Sequence, residues 1–250
     1  MIQVIQAGIT QGGIIAAGEG SRLRQAGYTE PKPLVPVSGT PLIERVISNF
    51  LAAGIGSLVI IFNEEGGREC ERWVRSRFPD ADIDIIVKTT ASSLESFLTI
   101  AGRIKTGSAL ISTVDAWCSP HDFKAFLEDA ARQPSDATVL AVTPFVADER
   151  PLWVSLDQSG RVKTLGDKTG TMVTAGMYLV PEHVRGLSVP RGLSRLRDFL
   201  SWLVTSGEPV FGIPIETVVD VDRAEDVPLA EALASASRLN RTDRRSEERT

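Results

Sequence analysis

The chain is predicted to fold as an α/β domain, a three-layer α/β/α sandwich around a mixed, mostly parallel sheet. Three observations predict it. Short apolar runs of strand length alternate with longer stretches whose apolar residues recur at helical spacing, the pattern of successive βαβ units. The first run, Gly12 to Ala17, is short, bounded and apolar. That suits a strand inside a parallel sheet, although a buried helix segment has the same look. Finally, 250 residues are enough for one large domain of this class.

Taken in order, residues 1–11 precede the first strand and are read as an N-terminal extension without assigned function. Ser21 to Ser38 reads as a long polar loop. Thr40 is placed to cap the next helix, with Pro41 at its first position. Leu42, Ile43, Val46, Ile47, Phe50 and Leu51 share one face of that helix, and Gly54 fits its stop. Leu58 to Phe62 is a second strand. Glu64 to Arg77 is a charged surface helix weakened by Gly66 and Gly67, and Ile83 to Val87 is a third strand. Ser92 and Glu95 have capping-box spacing, which predicts a helix from there to about Lys105. Ala109 to Val114 is a strand that ends in Asp115. Pro120 to Arg132 is a helix and Ala137 to Thr143 a strand. Leu152 to Leu156 and Arg161 to Leu165 form a hairpin about Gln158-Ser159-Gly160. Val173 to Val180 is a strand with Gly176 inside it, and Leu193 to Val204 is an amphipathic helix. Leu229 to Ala236 is the last helix. Residues 12–236 make one domain. Residues 237–250 are charged, nearly devoid of apolar side chains, and read as a disordered tail.

The chemistry concentrates at the amino-terminal end. Gly18 and Gly20 let the backbone turn sharply and approach a ligand closely. Backbone N–H groups in such a loop form a concavity that favours phosphate oxygens, and Arg22 adds a fork suited to bidentate phosphate contact. Pro31 and Pro33 stiffen the backbone around Lys32, a second candidate phosphate ligand. The Walker pattern is absent, since no Gly-Lys-Ser/Thr follows the glycines. The dinucleotide fingerprint fails as well: its third glycine falls on Leu23, and no acidic residue ends the next strand. A Gly-x-Gly loop alone remains open to a purely structural reading. Asp115, at the carboxyl end of an apolar strand, sits where open α/β sheets bind ligands. A turn or cap aspartate is the plainer alternative.

Two motifs together are more specific. Ala16-Ala-Gly-x-Gly-x-Arg-Leu23 followed by Pro31-Lys-Pro-Leu-Val-Pro-Val37 closely resembles the signature of the nucleotidyltransferase superfamily that includes the sugar-1-phosphate nucleotidyltransferases. The resemblance covers about residues 12–236 and implies the nucleotide-diphospho-sugar transferase-like fold. It implies that Ala16, Ala17, Gly18, Gly20, Ser21 and Arg22 hold a triphosphate, and that Ser92 and Ser93 lie against the base. The loop there lacks the family's glycine-rich form, and capping is the local alternative for Ser92. Arg22, Lys32 and Asp115 become the catalytic residues. Lys168 in Gly166-Asp-Lys-Thr-Gly170 resembles the family's Glu-Lys-Pro segment and implies a contact to the acceptor phosphate; a solvated turn lysine is the alternative. Gly176 implies a backbone contact to the acceptor, with a strand bulge as the alternative. The stretch Thr217 to Val227 resembles the second metal motif, so Asp115 and Asp220 would hold Mg²⁺, with Asp222 as the alternative to Asp220. Asp226 is read as a helix cap.

The implied activity is Mg-dependent nucleotidyl transfer from a nucleoside triphosphate to a phosphorylated small molecule, a sugar 1-phosphate first, giving an NDP-sugar and pyrophosphate. A cytidylyltransferase acting on an alcohol phosphate of the inositol phosphate or phosphocholine type is an alternative, as is a non-catalytic nucleotide-binding regulatory protein. A net charge of -5 gives no support for nucleic acid or a polybasic membrane contact. Two cysteines make no disulfide framework and have no metal-ligand spacing, and with no apolar run of spanning length or secretion signal they point to the cytoplasm. Oligomeric state is left open.

Overall fold

The computed structural model describes residues 9–146 and 151–235. The expected extension lies outside the described residues up to residue 8, as does the whole of the expected tail at 237–250. The first half runs β1 (Gln11–Ala16), α1 (Ser21–Gln25), a 3-10 turn Lys32–Leu34, then the short pair β2 (Pro36–Val37) and β3 (Thr40–Pro41). It continues with α2 (Leu42–Ala52), β4 (Ser57–Phe62), α3 (Glu64–Arg77), β5 (Asp82–Val87), α4 (Ser93–Ala101), β6 (Ala109–Thr113) and β7 (Ala116–Trp117). The second half runs α5 (Pro120–Ala130), β8 (Thr138–Thr143), β9 (Trp153–Leu156), β10 (Val162–Leu165), β11 (Met172–Val180), α6 (Glu182–Arg185), α7 (Leu196–Thr205), β12 (Val210–Pro214) and β13 (Val219–Asp220). A last helix, α8, covers 226–235.

The main sheet has the order β10-β9-β11-β6-β1-β4-β5, with β8 beside β11 and β12 beside β8. The β6-β1-β4-β5 segment and the β8-β12 pair are parallel, while β11 runs against β6, β8 and β9. The sheet is mixed and mostly parallel, as the sequence predicts. Its layers follow from the alternation of side chains along each strand. Ile14, Leu58, Ile60 and Phe62 join a core with Ile43, Ile47 and Phe50 of α2 and Phe123 and Phe126 of α5. Ile15, Val59 and Ile61 point the other way, into a core with Phe97 and Ile100 of α4 and Phe199 and Leu203 of α7. Helices therefore cover both faces, which is why the strands read as continuous apolar runs rather than as alternating ones.

Some boundaries are corrected. Ser21 to Ser38 is not one polar loop: it holds α1, the 3-10 turn and β2, and Leu23, Val35 and Val37 are fully buried anchors. Thr40 pairs with Val37 in β3, and the helix begins after Pro41. α4 stops at Ala101, before Gly102, rather than near Lys105. Only half of its capping box forms, because Glu95 reaches back to the N–H of Ala91 at 2.7 Å. The weakness foreseen in α3 is a kink at Glu65 and Gly66.

Candidate active site

The glycine loop folds flat onto Lys32. Gly20 has φ 62°, and a Cβ there would stand 2.7 Å from the Cβ of Lys32. Glycine is needed both for the left-handed backbone and for the close approach. Lys32 lies in the 3-10 turn between its two prolines with its side chain only 6% exposed. Its Nζ donates to Asp115 Oδ2 at 2.6 Å and to Asp222 Oδ1 at 2.9 Å. Arg22, at the start of α1, pairs with the other oxygen of Asp222. Burial alone would lower the lysine pKa. Asp115, then Asp222 and Asp220, outweigh burial and hold it above its ordinary value, so the ammonium stays charged. The magnitudes agree: a charge pair at about 4 Å and an effective dielectric near 20 gains about 4 kcal/mol, and two such carboxylates match a desolvation penalty of several kcal/mol. Asp115 answers in kind. Burial pushes its carboxyl up, but the charge and hydrogen bond of Lys32 bring it below its usual range.

Strand pairing gathers the aspartates. Val114 N–H donates to Ile15 O at 3.0 Å, so the end of β6 stays registered to β1. Asp115 then fills a tight turn in which its carbonyl accepts from Trp117 N–H at 2.7 Å and from Val221 N–H at 3.0 Å. β7 pairs antiparallel with β13, with Ala116 opposite Asp220. Asp226, at the start of α8, reaches back rather than forward. Its Oδ2 accepts from the N–H groups of Asp222 at 3.0 Å and Arg223 at 2.7 Å, which fixes the loop that aims Asp222 at the two cations.

Two cavities meet at Asp115 and Thr113. The larger, about 320 Å³, is lined by Ala16, Ala17, Gly18, Lys32, Ser92 and Ser93 among others. Ser92 Oγ accepts from Glu95 N–H at 3.2 Å and caps α4, while Ser93 Oγ accepts from Leu196 N–H at 3.0 Å and ties α4 to α7. Ser21 and Arg22 form the first turn of α1 and lie outside the lining of both cavities. The smaller cavity, about 190 Å³, is lined by Asp115, Asp220, Gly176, Tyr178 and Arg197 together with apolar neighbours. Gly176 combines both readings: it has φ 70° at a register shift in β11, and a Cβ there would meet Thr113 Oγ1 at 2.6 Å and Ala116 Cβ at 2.7 Å. Lys168 sits on an exposed turn between β10 and β11 and lines neither cavity.

Sequence reasoning missed three residues. Asn63, at the end of β4, donates to Ala17 O at 3.2 Å, accepts from Glu65 N–H at 3.0 Å, and so caps α3 while holding the loop. An asparagine just before a helical stretch was a readable signal. Tyr178 is buried in β11, and burial pushes its hydroxyl pKa up. Arg197, in the first turn of α7, looks in the sequence like any charge on a helix surface.

A glycine loop closed on a buried lysine, with aspartates just beyond strand ends in an α/β/α sandwich, fits the nucleotidyltransferase class. The chain belongs to the MobA-like NTP transferase domain family, whose model matches residues 12–211. It is 25% identical over 180 residues to the 2-aminoethylphosphonate cytidylyltransferase of Lancefieldella rimae, a match spanning 69% of this chain and 68% of that one. It is 23% identical over 209 residues to the mannose-1-phosphate guanylyltransferase of Mycobacterium tuberculosis, spanning 78% of this chain and 55% of that one, about half the relative's length. The fold is that of the inositol-1-phosphate CTP transferase from T. maritima, with TM-score 0.77, 17% identity, and coverage of 90% of this chain and 95% of that one.

Proposed function

We propose that the protein transfers a nucleotidyl group from a nucleoside triphosphate to a phosphorylated small molecule. One observation carries this reading: the buried Lys32 under the glycine loop, bonded to Asp115 and Asp222 where two cavities meet. The larger cavity takes the nucleotide and the smaller the acceptor. An acceptor phosphate oxygen attacks the α-phosphorus in line. The bond to the bridging oxygen breaks, and that oxygen leaves with pyrophosphate. No protein nucleophile is needed, so the chain contributes positioning and charge. Loop N–H groups and Arg22 hold the triphosphate, and Lys32 keeps its proton throughout because its pKa is raised. On binding, Arg22 and Lys32 exchange Asp222 for phosphate oxygens.

Magnesium fits this donor set. Asp220 pairs with Ala116, next to the turn that carries Asp115, and both aspartates line one cavity; an ion held by two carboxylates is completed by substrate phosphates and water. Asp222 is the alternative to Asp220. The ion, when bound, neutralises charge on the phosphoryl group in transfer. Asp115→Asn and Asp220→Asn are each expected to lower kcat about 100-fold or more.

A sugar 1-phosphate acceptor, giving an NDP-sugar, is the first reading, and the guanylyltransferase relative supports it. A cytidylyltransferase acting on an alcohol phosphate or a phosphonate is the second, favoured by the aminoethylphosphonate relative. Cytoplasmic placement belongs to the same reading: among the described residues no helix is long and apolar enough to cross a membrane, and both cysteines are buried and free. The test is pyrophosphate release for four nucleoside triphosphates against sugar 1-phosphates, inositol phosphate, phosphocholine and 2-aminoethylphosphonate. Tight triphosphate binding without release for any pair would defeat the transfer reading and leave a nucleotide-binding protein.

A further inference from the structure

We propose that Arg197 receives the phosphate or phosphonate dianion of the acceptor and is the residue by which the protein selects phosphorylated acceptors. This rests on the transfer reading above and assigns the acceptor end of the site to a residue that no sequence motif marks.

The first argument is charge. The smaller cavity is lined by the carboxylates of Asp115 and Asp220, and among the described residues lining it Arg197 is the only cation. A dianion entering about 190 Å³ of space beside two carboxylates is repelled unless positive charge faces it. A divalent ion held by Asp115 and Asp220 would offset part of that repulsion, and Arg197 supplies positive charge from the chain itself. The guanidinium fork matches two oxygens of a phosphate or phosphonate at once. Asp115, Tyr178, Arg197 and Asp220 line the same small cavity, so the three charges act on one space.

The second argument is placement. Arg197 follows Leu196, whose N–H is held by Ser93 Oγ at 3.0 Å, and Ser93 begins the helix that lines the nucleotide cavity. Phe199 of the same turn packs on Phe97 of α4 with ring centroids 5.5 Å apart. The start of α7 is thus registered to the nucleotide side of the site, as an acceptor ligand must be if the acceptor oxygen is to meet the α-phosphorus in line. The positive end of a ten-residue helix adds to the attraction for an anion. Lys168 has neither property.

The test uses the full chain with the acceptor that releases pyrophosphate, comparing wild type, Arg197→Ala, Arg197→Lys and Lys168→Met. Acceptor KM should rise about 10- to 100-fold in Arg197→Ala, the range of a lost charged hydrogen bond. Triphosphate affinity measured by calorimetry should change less than about twofold, and Arg197→Lys should recover part of the loss, as a point charge without the fork does. A wild type that turns over while Arg197→Ala keeps its acceptor KM overturns the assignment. So does an equal loss of nucleotide and acceptor affinity together with lowered Tm, which marks a structural arginine. A rise in acceptor KM confined to Lys168→Met moves the dianion to that turn. If the wild type turns over no acceptor, the transfer reading fails separately. Calorimetric binding of the same phosphorylated panel to wild type and Arg197→Ala then decides Arg197 alone, equal binding overturning it.

Discussion

Lys32 joins the stability of the site to its chemistry. Lys32→Met leaves Asp115 and Asp222 facing each other across an apolar side chain. Removing one partner of a buried pair costs about 3–5 kcal/mol, and the partial exposure of Asp222 places this change near the lower end, about 3 kcal/mol. Urea unfolding at neutral pH measures it, and a loss below about 1 kcal/mol, the level of a surface pair, would mean that the lysine does not hold these carboxylates. If Asp115 faced Asp220 with no cation nearby, their repulsion would leave Asp115→Asn equal or higher in stability. Lys32 corrects that expectation. With its ammonium 2.6 Å from Asp115, the change removes a charged hydrogen bond and should destabilise by roughly 1.5–3 kcal/mol. The pH dependence follows from the same contact. The Asp115 carboxyl lies below its ordinary 3.8 when folded. Such a group contributes stability that is fully present above the unfolded value and is lost as pH falls through the folded one. Unfolding free energy should therefore fall more steeply below about pH 4 in the wild type than in Asp115→Asn. Superimposable acid limbs would show that the coupling is absent.

Among the elements, β7 is one of the two-residue strands and the most consequential, because its pairing with β13 sets the turn of Asp115 beside Asp220. Gly176 in β11 allows β7 to lie where it does. Gly176→Ala forces a side chain into left-handed backbone and to within 2.7 Å of Ala116. The two effects together should cost about 2–4 kcal/mol and raise acceptor KM while triphosphate affinity holds. Thermal unfolding and kinetics run on one preparation give both readings, and a variant as stable as wild type with unchanged KM would mean that β7 is not pressed against β11. The elements that sequence predicted well are those with a period: β1, β4 and β6 as apolar runs, α2 and α7 as amphipathic stretches. Two-residue strands have no period to read, and Leu23, Val35 and Val37 are spaced too irregularly to announce that Ser21 to Ser38 is anchored. Arg22 and Lys32 were legible as candidates because glycines and prolines at fixed offsets mark them. Arg197 and Tyr178 were not, since an arginine on an amphipathic helix and a tyrosine in a strand are what surfaces and cores ordinarily contain.

Across the whole molecule, the site closes where the two ends of the domain meet. Arg22 reaches Asp222 over 200 residues of sequence, Lys32 reaches it over 190, and Ser38 N–H donates to Glu231 Oε1 over 193. No local pattern could reveal this, because the pairing depends on β13 and α8 folding back over the amino-terminal loop. It also lets Asp222 bridge Arg22 and Lys32, the two cations proposed above to hold a triphosphate. Asp226 holds the loop of Asp222 in that position through the two N–H bonds it accepts. On the proposed reading a triphosphate displaces this carboxylate from Arg22 and Lys32. Without a divalent ion the carboxylate and the phosphates compete for the same positive charge and repel each other. Asp222→Asn keeps the shape of the loop and removes the charge. Metal-free triphosphate affinity should then rise, by about tenfold for each 1.4 kcal/mol of competition relieved, even as turnover with Mg²⁺ falls if Asp222 also serves the ion. Calorimetry in a chelating buffer reads the first effect apart from the second. An affinity equal to or weaker than wild type would mean that Asp222 does not compete with the triphosphate, and that Arg22 and Lys32 bind phosphate with the carboxylate still in place.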